Sequence, residues 1–191
     1  WTAMTSTKNS KPVGVIGAGS FGTAIANILA SNAEVLLYSR DATSIQNIAS
    51  TRTHRGRTVH KNITPTGDIS YLANTCDIIF PIVPSSSFRT MMQQISPYLY
   101  PYHILIHGTK GLDISLSDGQ TLAGVNQLER ESVMTMSEVI IDESVVERIG
   151  CLAGPNIAKE MSANQPAATV VASHYNEVIT KGMNLLRNDY F

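Results

Sequence analysis

The chain has 191 residues, 43% of them apolar and 15% charged, and its 14 basic and 15 acidic side chains leave a formal charge of −1. That length suits one domain, or one and a half, with a full core, and a charge near zero without a basic run excludes the electrostatic footprint of a nucleic-acid or membrane-surface binder. The longest apolar stretch, Ile78 to Val83, falls far short of the roughly 20 residues of a membrane span, so no stable membrane insertion is expected. Two cysteines, Cys76 and Cys151, supply neither a zinc cage nor a disulfide framework, which predicts no metal site and a reducing, cytoplasmic setting.

The segment Trp1 to Lys11 is polar and reads as a flexible arm, with Trp1-Thr2-Ala3 foreign to the sequence that starts at Met4. A single domain over residues 12–191 is expected to follow. Val13 to Ile16 reads as a buried strand, and a Gly-rich turn then opens a helix over Ser20 to Ala30 with Ala24, Ile25, Ile28 and Leu29 on one face. Val35 to Tyr38 is a second strand, and Asp41 caps a helix through Ala49. Thr51 to Thr66 is rich in Arg, His and Thr and reads as a loop leading to a short strand near Ile63.

The alternation continues. Asp77 to Val83 is apolar after its first residue, as a central parallel strand covered on both faces should be. Pro84 ends it, and Ser85-Ser86-Ser87 caps a helix through Ile95. Ile104 to Ile106 is the next strand, a helical pattern covers Ser132 to Ile141, and Ile149 to Leu152 is a strand leading into Gly154-Pro155-Asn156. A short helix over Ala158 to Ala163, a strand over Ala168 to Ala172 and a helix over Asn176 to Arg187 complete the chain. This rhythm predicts a Rossmann-type, doubly wound α/β fold: a mostly parallel sheet with helices on both faces.

Gly17-Ala18-Gly19-Ser20-Phe21-Gly22 fits G-x-G-x-x-G between the first strand and the first helix. Gly17 serves the tight turn, Gly19 lets a pyrophosphate approach the backbone, and Gly22 lets helix and strand pack closely. The competing reading is a Gly turn without a ligand. An NAD-specific site places an acid near the end of the second strand, but here the strand ends Tyr38-Ser39-Arg40. Arg40 suits a 2′-phosphate, so NADP is at least as acceptable as NAD. An ordinary solvated arginine is the alternative.

Three further loops leave the carboxyl ends of the strands, where such sheets bind ligands. Val83-Pro84-Ser85 would pass the nicotinamide ribose with Phe88 nearby, and Lys110 sits between Gly108-Thr109 and Gly111. Lys110 could stabilise charge developing on a carbonyl oxygen, or be a turn lysine in water. Asn156 is a ligand contact or a helix cap. His54, His60, His103, His107 and His174 lack partners at a telling spacing, with a packing role favoured for His107. Cys151 reads as buried and inert, and Met91-Met92 and Met134–Met136 as core fillers.

The order GAGSFGTAIA, HGTKGLD and AGPNIAKEM before PAATVVAS resembles NAD(P)-dependent glycerol-3-phosphate dehydrogenase, from about Val13 to Phe191. The resemblance implies hydride transfer between NAD(P)H and dihydroxyacetone phosphate, giving sn-glycerol 3-phosphate for phospholipid synthesis. Beside Pro84, expected at the cofactor from its strand-end loop, the resemblance implies cofactor contacts at Gly17, Gly19, Ser20, Phe21, Gly22, Arg40, Lys110 and Ala158, and substrate contacts at Lys110, Gly154 and Asn156. Position 156 departs from the bacterial Ser, and Thr51 to Asn62 lacks the family's aromatic-Leu-Pro-Gly pattern. Family members run well beyond Phe191 into an all-helical domain that carries the general acid/base lysine, and the full-length form is expected to be a homodimer. By itself this chain is therefore expected to bind cofactor and turn over little or nothing. Its rivals are ketopantoate, β-hydroxyacid or 6-phosphogluconate types of dehydrogenase, and a stand-alone dinucleotide-binding module. The β-hydroxyacid type is disfavoured by Ala-Gly-Pro-Asn where that group has Gly-Ser-Gly-Gly.

Overall fold

A computed structural model describes residues 11–115, 129–154 and 168–188. Seven strands form one sheet: β1 (Val13–Ile16), β2 (Val35–Tyr38), β5 (Ile63–Thr66), β6 (Ile78–Pro81), β7 (Ile104–His107), β10 (Arg148–Ala153) and β11 (Val170–Ser173). Their spatial order is β5-β2-β1-β6-β7-β10-β11. Every pairing is parallel except that of β10 with β11. The chain runs outward from β1 to β5, then returns to β6 on the other side of β1. Strand order therefore reverses between β1 and β6, which is where open α/β sheets bind ligands.

Strand periodicity sorts the apolar side chains into two layers. Val13, Val15, Val35, Leu37, Phe80, Ile104 and Ile106 enter one core with Ile25 and Leu29 of helix α1 (Ser20–Leu29), Ile48 of α2 (Ala42–Thr51) and Val178 and Leu186 of α6 (Asn176–Leu186). Ile16, Leu36, Ile79, Leu105 and Ile149 enter the other, under α3 (Ile69–Thr75), α4 (Phe88–Ile95) and α5 (Met136–Glu143). In α4, Phe88, Met91, Met92 and Ile95 repeat at helical spacing and are all buried. Each such side chain contributes about 1.5–3 kcal/mol by leaving water.

Asp41 caps α2 by accepting from the Thr43 and Ser44 amides, as the sequence predicts. Asp68 caps α3 in the same way through the Tyr71 amide. Thr135 and Glu138 form a reciprocal capping box on α5. The Thr135 amide, with Arg130, holds the Glu138 carboxyl down at about 2.

Several expectations need correction. Thr51 to Thr66 is not a plain loop: β3 (Thr53–His54) and β4 (Arg57–Thr58) form a hairpin there. Helix α3 is absent from the sequence reading, because seven residues give too little periodicity. The helix expected from Ser132 begins only at Met136, and Val133–Thr135 forms β9, paired with β8 (Leu112–Ile114). Arg89 ties that hairpin down, with Nε 2.7 Å from Asp113 and Nη1 2.6 Å from Asp142 and also bonded to Glu143. Ser85–Ser87 is a 3-10 turn that gives α4 no side-chain cap. Lys11, counted with the arm, pairs with Asp77 at 2.8 Å. The rest of the arm and the expected helix over 158–163 lie outside the described residues.

Candidate functional site

The turn from β1 to α1 lies at the reversal of strand order, and its three glycines do different work. Gly17 has φ +112°, and a Cβ there would strike the carbonyl of Ile82. At Gly22 a Cβ would strike the carbonyl of Gly17. Both positions are fixed by the protein's own packing. Gly19 is unlike them: its φ of −73° suits any residue, and among the described residues a Cβ there would meet nothing within 4 Å. The room above Gly19 is therefore room for something other than this part of the chain. Gly19 also precedes α1, which has no side-chain cap and no acidic residue in its first turn. The Thr23 amide bonds back to Gly19, while the first-turn amides before it point out of the helix end, an arrangement suited to an anion.

Two clefts meet at this turn. One, about 280 Å³, is lined by Gly17, Ala18 and Gly19, by Tyr38 to Asp41 and by Ser44, Arg55, Val83 and Pro84. The other, about 390 Å³, is lined by Gly19 to Gly22, by Ile82 to Pro84 and by Gly108 to Lys110. Gly19, Val83 and Pro84 border both, so the pair forms one groove across the strand ends with the glycine turn in its middle.

In the first cleft, Arg40 is exposed at the end of β2. The acid beside it is committed elsewhere. Asp41 Oδ1 accepts from the Thr43 amide at 3.0 Å, and Oδ2 accepts from the Ser44 amide at 3.1 Å and hydroxyl at 2.5 Å. These bonds, led by the Ser44 hydroxyl, hold the carboxyl below its usual range. Ser39 Oγ accepts from the Asp41 amide at 3.1 Å, which fixes the bend.

The second cleft depends on a reciprocal contact. Thr109 Oγ1 donates to the Val83 carbonyl at 2.8 Å and accepts from the Val83 amide at 3.3 Å. The loop after β7 is thereby held against the loop after β6. Gly108 completes the fit, because a Cβ there would lie 3.1 Å from the Phe21 ring. Phe21 and Lys110 thus share one cleft, with Lys110 exposed at its edge.

The structure brings Gly17, Gly19, Ser20, Phe21, Gly22, Arg40, Pro84 and Lys110 to the groove. Gly154, with φ +137°, ends β10 at the same end of the sheet but lines neither cleft. Asn156 and Ala158 lie outside the described residues. Phe88 is not in the groove: it is fully buried and packs edge-on to His107 with centroids 5.9 Å apart. Cys151 is half-buried rather than enclosed, whereas burial pushes the Cys76 thiol up to about 12. Met91, Met92 and Met136 are core residues, as expected, and Met134 packs at the core's edge.

Sequence reasoning set His54 aside and gave Arg55 and Thr109 no role of their own. His54 is buried, with Nε2 2.8 Å from the Ala18 carbonyl in the glycine turn. Its only local signal is Gly56 two positions on, a residue that favours a turn. His103 is a structural residue, bonded to the Tyr100 amide at 2.8 Å and the Ala73 carbonyl at 3.0 Å. Among the described residues no group of three His, Cys, Asp or Glu could hold a metal, and no helix is long and apolar enough to cross a membrane.

Residues 12–179 match the family described as NAD-dependent glycerol-3-phosphate dehydrogenase N-terminus. The chain is 38% identical, over 172 residues, to a glycerol-3-phosphate dehydrogenase [NAD(P)+] of Saccharophagus degradans, covering 87% of this chain and 44% of that protein. The chain spans about half the length of the curated relatives it matches. Two solved structures share the fold. Glycerol-3-phosphate dehydrogenase from Coxiella burnetii has a TM-score of 0.76 at 24% identity, covering 95% of this chain and 52% of that one. The enzyme from Saccharomyces cerevisiae has a TM-score of 0.78 at 21% identity, covering 96% and 55%.

Proposed function

The chain belongs to the NAD-dependent glycerol-3-phosphate dehydrogenase family, and from that premise we propose that its groove binds NADPH or NADH as the cofactor-holding part of such an enzyme. One observation carries the reading: Gly19 leaves open space at an uncapped helix start where two clefts join. A pyrophosphate suits that space, since main-chain amides and the positive helix end favour an anion. The adenosine end then lies toward Arg40 and the nicotinamide end toward Phe21, Pro84 and Lys110. Lys110 would hold the substrate's oxygen and stabilise charge developing on it. By family resemblance, Gly154 and Asn156 would contact substrate and Ala158 the cofactor.

The cofactor, when bound, supplies a hydride. Dihydroxyacetone phosphate and sn-glycerol 3-phosphate are the proposed substrate pair, and the cytoplasm the proposed setting. The protein's own contribution is positioning: the Thr109–Val83 contact fixes the two loops beside the nicotinamide end, so that the reacting groups meet in one geometry.

Gly19→Val tests the reading. Its backbone accepts a side chain without strain, so the variant should fold while its dissociation constant for NADPH rises at least about 30-fold, because the side chain occupies the pyrophosphate's place. Unchanged affinity in a folded variant would remove the turn from cofactor binding.

A further inference from the structure

The hairpin β3–β4 carries an unusual residue at its tip. Arg55 and Gly56 are its two loop residues, and both have positive φ, +50° and +74°. A two-residue loop of this kind is ordinarily Asn-Gly, Asp-Gly or Gly-Gly, since only those residues adopt the left-handed region easily. Arginine has no such backbone preference, so the side chain, rather than the turn, accounts for its presence. That side chain lines the first cleft together with Arg40. Among the described residues neither guanidinium has a hydrogen-bond or ion-pair partner.

The hairpin is also held in place. His54, next to Arg55, is buried and bonded to the Ala18 carbonyl. Asn27 of α1 donates to the Thr58 carbonyl at 3.0 Å and accepts from the His60 amide at 2.8 Å. The tip is therefore fixed relative to the glycine turn and to α1, and Arg55 faces the cleft from a rigid base. The one acid among the described residues lining that cleft, Asp41, is occupied in capping α2. Two unpaired cations opposite a committed carboxylate suit a dianionic phosphomonoester better than a ribose hydroxyl.

We infer that Arg55, with Arg40, holds the 2′-phosphate of NADPH and gives this chain a preference for NADPH over NADH. The inference rests on the dinucleotide reading of the groove. Arg55→Asn tests it, because asparagine suits the left-handed turn and the hairpin should fold unchanged. NADPH and NADH are titrated separately into the 191-residue chain and the variant, following cofactor fluorescence, with 2′,5′-ADP and 5′-AMP as competitors.

The expected result is tighter binding of NADPH than NADH by the unaltered chain. Arg55→Asn should then weaken NADPH and 2′,5′-ADP at least about tenfold and leave NADH and 5′-AMP within about twofold, in line with loss of a charge-assisted bond. Equal losses for both cofactors would place Arg55 on the pyrophosphate and overturn the inference, as would no loss or a preference for NADH in the unaltered chain, while the dinucleotide reading stands. If the unaltered chain binds neither cofactor, the dinucleotide reading fails and the inference falls with it.

Discussion

His54 Nε2 stands 2.8 Å from the carbonyl oxygen of Ala18, the residue between the first two glycines of the turn, although 36 positions separate them. A carbonyl only accepts, so Nε2 carries the proton in this contact. His54→Leu keeps an apolar body in the site and removes the donor, leaving the half-buried Ala18 carbonyl without this partner. We expect a loss of about 0.5–1.5 kcal/mol in urea unfolding. A variant as stable as the unaltered chain would show that the bond contributes nothing.

The three turn glycines should separate in a stability experiment. Gly22→Ala places a methyl against the Gly17 carbonyl, and Gly17→Ala adds strain at φ +112° to a collision with Ile82. Each should lower stability by more than about 2 kcal/mol. Gly19→Ala should fold with a melting temperature close to that of the unaltered chain, because its added methyl points into open space. Equal destabilisation at all three positions would contradict this division.

Much of this was legible because it is local. The alternation of β-branched runs with 3.6-period segments gives the sheet and its two helical layers, and the glycine spacing gives the turn. Asp41 is readable as a cap from its place before α2. The failures are contacts between distant residues. Val133–Thr135 is a strand only because Leu112–Ile114 lies beside it, and three residues before a helix carry no period of their own. Phe88 sits at a strand-end loop in sequence, yet α4 turns it inward beside Met92 in the core. His54 reaches the site through the hairpin's position against α1, which no spacing near His54 encodes.

Thr109→Val removes a hydroxyl that serves both the amide and the carbonyl of Val83. Valine matches its shape, so the change isolates the hydrogen bonds. Unfolding free energy should fall by about 1–3 kcal/mol, at about 0.5–1.5 kcal/mol for each of the two hydrogen bonds lost. Cofactor affinity should weaken too, as the loops bearing Pro84 and Lys110 part. A neutral effect on both would mean that the two loops are held by packing alone.

His107 predicts an acid-sensitive fold. Burial lowers its pKa from 6.5 to about 4, partly offset by the Thr109 backbone. Between those values the unfolded chain binds the proton and the folded chain does not, so stability rises with pH across this window. The contribution is complete above about pH 6.5 and disappears as pH falls toward 4, by up to about 3 kcal/mol. His107→Gln, neutral throughout, should lack this part of the pH slope in denaturant titrations. An identical slope in both proteins would show that other groups cause it.

Diffraction from crystals of this chain soaked with NADPH would locate the dinucleotide relative to the glycine turn. Density for the pyrophosphate is expected directly above Gly19, within hydrogen-bonding reach of the main-chain amides that begin α1, with the adenosine toward Arg40. A turn filled by the protein's own side chains, or a dinucleotide bound at another surface, would contradict this placement.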